Sequence, residues 1–171
     1  MTIADRTLVG EGFAGGGQNA AHVNTVLGRK GGPVETAWAT ALATPREGHI
    51  PFVVVVRPSM PVKPATLFVN KATVEGDRHA ALTWGGAQAG VARGVLTSVA
   101  EGVVAAEDVD DLLLIAAVWV DWTADDEETV YENNVQATSD ALSSAAEGRP
   151  FLDELLAVRD EPENPFFRRG P

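Results

Sequence analysis

The chain contains no cysteine, which excludes disulfide bridges and zinc–thiolate centres. Basic residues are scarce: 13 Lys and Arg stand against 24 Asp and Glu, for a formal net charge of −11. A surface of that sign repels phosphate backbones and anionic membranes, so neither nucleic acid nor membrane is an expected partner. Long apolar runs are missing as well. The longest, Leu112–Val120, falls far short of the ~20 residues that span a bilayer. The opening MTIADRTLVG has no basic segment followed by an apolar run, so no signal peptide is expected. What remains is a chain of 171 residues, 45% of them hydrophobic, which favours one soluble, cytoplasmic globular domain.

Hydrophobic periodicity divides the chain into strands and helices. Thr7–Gly12 reads as a short strand that ends in the turn Gly15-Gly16-Gly17. Ala21–Leu27 alternates, and since strand side chains point to opposite faces in turn, His22, Asn24 and Val26 share a face. After a loop at Gly28–Gly32, Pro33 opens a helix with Val34, Trp38, Ala41 and Leu42 on one stripe. Phe52–Val56 reads as a buried strand and Pro58–Pro64 as a turn. Thr66–Val74 alternates again, with Leu67, Val69, Lys71 and Thr73 together.

A helix of about twenty residues is predicted to end near Gly102, with Val91, Val95 and Val99 among its apolar positions. Leu112–Val120 should form the central strand. Thr123, with Asp126 three residues on, resembles a capping box for a last helix. That helix carries Tyr131, Val135, Thr138, Leu142 and Ala145 on one stripe and stops at Gly148. The mixture predicts an α+β fold, one sheet covered on one face by helices. Residues 1–158 form the domain and 159–171 a C-terminal tail, whose Phe166-Phe167 pair predicts packing on a neighbouring subunit.

Several candidate constellations reduce to bland readings. Gly10-Glu11-Gly12-Phe13-Ala14-Gly15 matches a dinucleotide fingerprint in letters only, because a strand rather than a helix follows the glycines. The acidic clusters Glu107–Asp111 and Asp121–Glu128 lack the glycine and terminal glutamate of a calcium loop and read as solvated charge. His49 and His79, beside turn residues, read as surface histidines. No nucleophile motif and no metal-ligand spacing is present. His22 differs, because it lies inside an alternating strand with Asn24 on its face, while Lys71 and Thr73 form a second polar pair. Two such strands either line a pocket mouth or make a half-exposed polar sheet face.

Val9-Gly10-Glu11, the glycine turn and Ala21-His22 resemble the opening of the formaldehyde-activating enzyme family. Gly31-Gly32-Pro33-Val34-Glu35-Thr36-Ala37 and the whole stretch Pro61–Thr73 are similar to it too. So are Gly86-Ala87-Gln88-Ala89-Gly90-Val91-Ala92, Ala100-Glu101-Gly102 and Asp110-Asp111-Leu112, all in the same order from about Val9 to Gly148. The resemblance implies a two-layer α/β sandwich similar to the ribosomal protein S5 domain 2-like fold, assembled as a homopentamer. It implies condensation of formaldehyde with tetrahydromethanopterin to the methylene derivative and water, in one-carbon metabolism and formaldehyde detoxification. No metal or redox cofactor is implied.

By the same resemblance His22 is the proton donor, and Lys71, Thr73 and Gln88 match pterin-binding positions. Asn24 stands where the family typically has aspartate, Val53 where it has leucine, and Ala89 where a histidine is common. Other readings are a homologue using another amine or folate-like carrier, or a non-catalytic protein that binds an aldehyde or a pterin.

Overall fold

A computed structural model describes residues 6–165 and 167. Among the described residues, seven strands and five helices follow one another in the order β1 (Leu8–Ala14), β2 (Ala21–Arg29), α1 (Pro33–Ala43), β3 (Phe52–Val53), β4 (Val55–Arg57), β5 (Met60–Pro61), β6 (Ala65–Asn70), α2 (Gly76–Leu82), α3 (Gln88–Ala100), β7 (Leu112–Trp119), α4 (Glu127–Glu147) and α5 (Leu152–Ala157). Five strands form one sheet in the order β1-β2-β7-β6-β3. Only the β6–β7 pair is parallel, and α2 and α3 supply its crossover. The β1–β2, β2–β7 and β3–β6 pairs are antiparallel. This is the α+β architecture predicted from the sequence.

Alternation decides which face each strand buries. On β7, Leu112, Leu114, Ala116 and Val118 turn inward and meet Phe68, Val91, Val95 and Leu142 in a core beneath α3 and α4. Leu113, Ile115, Ala117 and Trp119 take the other face. There α1 adds partial cover at one end, where Val34 is buried and a Cβ at Gly28 would lie 2.5 Å from its Cγ2. The rest of that face stays half-exposed, as the alternating burial of β2 records.

The glycines of the apparent dinucleotide fingerprint are strand residues. A Cβ at Gly10 would stand 1.9 Å from the Ala141 carbonyl oxygen, and one at Gly12 would stand 2.0 Å from that of Ala137. Their role is to let α4 approach β1 backbone to backbone.

Several local expectations need correction. Phe52–Val56 is not a continuous buried strand. It splits at Val54, the one fully buried residue of the run, because the Val54 amide bonds Thr66 while the Val55 amide turns to the Gln88 side chain. The strand predicted over Thr66–Val74 stops at Asn70, whose amide group donates to Ala72 and Gly48 carbonyls and closes a turn. Thr73 therefore lies outside the strand. The predicted single helix before Gly102 is α2, a π turn over Thr83–Ala87, and α3.

Thr123 does not cap α4. Its hydroxyl and amide are held by Asp121, and Asp126 accepts from the Thr129 amide as N-cap. The buried side of α4 runs through Val130, Asn134, Ala137, Ala141 and Ala145 as well as Thr138 and Leu142, because sheet and α3 both press on it. Gly148 ends α4 in the left-handed conformation, φ 70°. Among the described residues no helix is long and apolar enough to cross a membrane.

Candidate active site

The half-exposed sheet face gathers side chains from three strands. Directly opposed residues of antiparallel strands share a face. Glu11 opposes Asn24, Phe13 opposes His22, and His22 in turn opposes Trp119. Lys71 follows the end of β6 and is anchored by its amide, which donates to the Val118 carbonyl at 2.8 Å. From there its ammonium reaches back over the sheet to Asn24 Oδ1 at 2.8 Å and to His22 Nδ1 at 3.2 Å. The other ring nitrogen, Nε2, lies 3.0 Å from Glu11 Oε1.

The donors assign the tautomer. An ammonium has hydrogens and no lone pair, so Lys71 donates and Nδ1 of His22 accepts. Nε2 then carries the hydrogen and donates to the Glu11 carboxylate. Partial burial, and next the positive Lys71, push the His22 proton affinity below its ordinary value, while the charge and hydrogen bond of Glu11 pull against both. Burial likewise lowers Lys71, again opposed by Glu11.

These groups line a cavity of about 730 Å³. Phe13 and Trp119 give it aromatic surface, with the Phe13 ring centroid 6.2 Å from that of His22. Glu163, Asn164 and Pro165 of the C-terminal segment lie along it. Of the predicted tail pair, Phe167 is exposed and Phe166 lies outside the described residues.

The other predicted site residues do not join this cavity. Thr73 is exposed, its hydroxyl 3.2 Å from His49 Nε2 and its carbonyl accepting from the Trp122 indole at 2.8 Å. Val53 pairs with Leu67 at the sheet edge farthest from β1. Gln88 is buried and accepts from the Val55 amide at 2.7 Å. It lines a larger cavity, about 1010 Å³, with Trp84, Tyr131 and the carboxylates Asp125–Glu128. Ala89 lines the same cavity.

The family model described as formaldehyde-activating enzyme matches residues 9–167. The chain belongs to the formaldehyde-activating enzyme family. The 5,6,7,8-tetrahydromethanopterin hydro-lyase of Methanosarcina barkeri is 45% identical over 161 residues, covering 94% of this chain and 90% of that protein. The bifunctional enzyme Fae/Hps of Methanosphaera stadtmanae is 38% identical over 165 residues, and that of Methanosarcina mazei 41% over 148. This chain spans 41% and 38% of those two bifunctional proteins.

Within this family member, sequence reasoning missed Glu11, Phe13 and Trp119. Val9, Glu11 and Phe13 alternate with Gly10 and Gly12, so period two is present, but glycines carry no side chain to mark the opposite face as apolar. His79 also needs correction. It is buried, not a surface residue: Nε2 lies 3.1 Å from the Val120 carbonyl oxygen and Nδ1 accepts from the Glu75 amide at 3.1 Å. His49 is half-buried, with Nδ1 2.9 Å from the Asn70 carbonyl oxygen. The acidic cluster before β7 is surface charge, with Asp108 beside Arg29 and Asp110 beside Lys63. Among the described residues no group of three or more His, Asp or Glu side chains is arranged to hold a metal ion.

Proposed function

We propose that this chain condenses formaldehyde with tetrahydromethanopterin to methylene-tetrahydromethanopterin and water, with His22 as general acid. The observation that carries this is the placement of His22: one imidazole held between a cation and a carboxylate, in an aromatic-walled cavity, in a chain 45% identical to a tetrahydromethanopterin hydro-lyase. Flat apolar walls beside a compact donor–acceptor cluster suit a planar, hydrogen-bonding ring system, and the volume lies within the usual range of ~300–1,000 Å³ for small-molecule sites.

The pterin enters as a substrate and supplies two nitrogen nucleophiles. Addition of the first to formaldehyde leaves a hydroxyl on the new carbon. Hydroxide is a poor leaving group, so breaking that C–O bond requires a proton, which His22 delivers as water departs. Attack by the second nitrogen closes the ring and releases a proton that returns to the His22–Lys71 pair. General acids of this kind contribute ~10²–10⁴-fold. Lys71 and Asn24 hold pterin polar edges, and orientation of both nitrogens near the small electrophile supplies the remainder.

The roles assigned to Val53, Thr73 and Gln88 in pterin binding belong to the same proposal, as does a cytoplasmic homopentamer. In one chain these three residues stand apart from the His22 cavity, and exposed Leu42, Leu152, Leu155 and Leu156 are surface suited to contact between copies. The deciding measurement is the rate of methylene-tetrahydromethanopterin formation above the spontaneous background, for the wild type and for His22→Ala. Acceleration lost in His22→Ala supports the reading. An intact wild type without acceleration, but active on a folate-like carrier, would favour that carrier, consistent with Asn24 and Ala89 departing from the family pattern. Binding without turnover on either would make this a binding protein.

A further inference from the structure

We infer that Glu11 is the positioning residue for His22: its carboxylate holds the hydrogen on Nε2, so that Nδ1, the nitrogen facing Lys71, is the atom that carries the transferable proton. This inference rests on the reading of His22 as general acid.

Three observations converge on Glu11. First, the contact is built into the backbone. Glu11 opposes Asn24 and Phe13 opposes His22 along the β1–β2 ladder, so the carboxylate and the imidazole stand one pair apart on the same face. The resulting Oε1–Nε2 distance is 3.0 Å. Second, the ring has one partner on each nitrogen, and the two partners are of opposite kind. Lys71 can only donate and the Glu11 carboxylate can only accept, which leaves one tautomer. Third, the charged groups around the ring are unbalanced without Glu11. Lys71 and partial burial both disfavour an imidazolium, and Glu11 opposes them. Glu163 also lines the cavity, while Phe13 and Trp119 bring no charge and Asn24 brings only a dipole.

The proton path follows from these contacts. Lys71 holds its hydrogen towards Nδ1. Burial weakens the hold of Lys71 on its proton, and that proton passes to Nδ1 and leaves a neutral amine. The imidazolium so formed is held at Nε2 by the Glu11 anion. Nδ1–H then gives its proton to the departing hydroxyl oxygen, and water leaves with the electron pair of the broken C–O bond. Ring closure by the second nitrogen releases one proton, which returns to the His22–Lys71 pair. Charge and atoms balance over the cycle, and Glu11 neither gains nor loses a proton.

The test uses the full-length protein and three variants, Glu11→Gln, Glu11→Asp and Glu11→Ala. The Glu11 side chain is 60% exposed, so folding should survive, and thermal unfolding provides the check. Glu11→Gln keeps an acceptor oxygen and removes the charge. The expected result is a kcat lower by about tenfold or more, a smaller loss than that of His22→Ala, with KM for the pterin little changed. The alkaline limb of the pH–rate profile moves to lower pH, because His22 then loses its proton more easily. Glu11→Asp recovers part of the rate.

Ring ¹⁵N shifts of His22 provide a readout independent of turnover. They should report the Nε2–H tautomer in wild type and a mixture in Glu11→Ala. An unchanged His22 titration, tautomer and rate in Glu11→Gln would overturn the inference. A changed titration and tautomer in a protein whose His22→Ala variant is still fully active would instead sink the reading of His22 as acid and leave Glu11 as a partner of a non-catalytic histidine.

Discussion

The Lys71 ammonium donates to Asn24 Oδ1 at 2.8 Å, and the same nitrogen lies 3.2 Å from His22 Nδ1. Asn24 thus influences the histidine through the lysine. Its amide keeps one acceptor oxygen and brings no charge. Asn24→Asp would place a carboxylate against Lys71 and near His22, and a neighbouring anion favours both protonated forms. The expected outcome is a higher pterin affinity and an alkaline limb of activity moved to higher pH. A pH–rate profile and a pterin titration of Asn24→Asp check this, and unchanged values in both would count against it.

Stability should depend on pH through the same pair. His22 has a folded-state affinity below its ordinary value of 6.5, so between the two values the unfolded chain binds a proton that the folded chain lacks. Stability therefore rises with pH in that window, and the penalty is full below the folded value and gone above 6.5. Lys71 follows the same sign below 10.5. In urea unfolding, the stability of wild type relative to His22→Gln should increase as pH approaches 6.5 from below and be level above it. A difference that falls over that range would refute the assignment.

Gly12→Ala should damage the fold, because the new Cβ would lie 2.0 Å from the Ala137 carbonyl oxygen and backbone cannot yield as a side chain would. A loss of ~1–3 kcal/mol or more is expected for such overpacking. Gly16→Ala is the control. Nothing stands within 4 Å of its Cβ position, and its φ of −156° suits any residue. Thermal unfolding of the pair should separate them clearly.

His79→Ala should cost stability with little direct effect on chemistry. It leaves the Glu75 amide and the Val120 carbonyl without their side-chain partner. Val120 is buried, and an unsatisfied buried group costs ~1–3 kcal/mol. Urea unfolding followed by tryptophan fluorescence is a suitable probe, since the Trp122 ring lies 6.4 Å from His79.

Removing residues 159–171 takes Glu163, Asn164 and Pro165 off the His22 cavity. Because these residues are exposed, the unfolding temperature should change little, while KM for the pterin rises. Unchanged KM would mean that the segment only lies over the site.

Much was readable because it depends on local rules. The alternation of Ala21–Leu27 put His22 and Asn24 on one face, and the structure keeps them there. Pro33 and Gly148 mark helix ends for the reasons their backbones dictate. Errors arose wherever a long-range partner intervened. His79 looked like a turn residue, but its burial depends on Val120, which is distant in sequence. Thr123 is the local exception, since Asp121, two residues before it, accepts from its hydroxyl. Phe52–Val56 looked like a buried strand until the Val55 amide turned to Gln88.

The sequence by itself determined which side chains alternate, where glycine and proline interrupt, and that helices must cover a sheet, because these follow from backbone geometry and apolar periodicity. Only the tertiary structure decided which face α3 and α4 would cover and which charges would meet on the other. Strand register joins Glu11 to His22, and the end of β6 brings Lys71 over both. Those contacts depend on hydrogen bonds between segments far apart along the chain, whose pairing no single segment encodes.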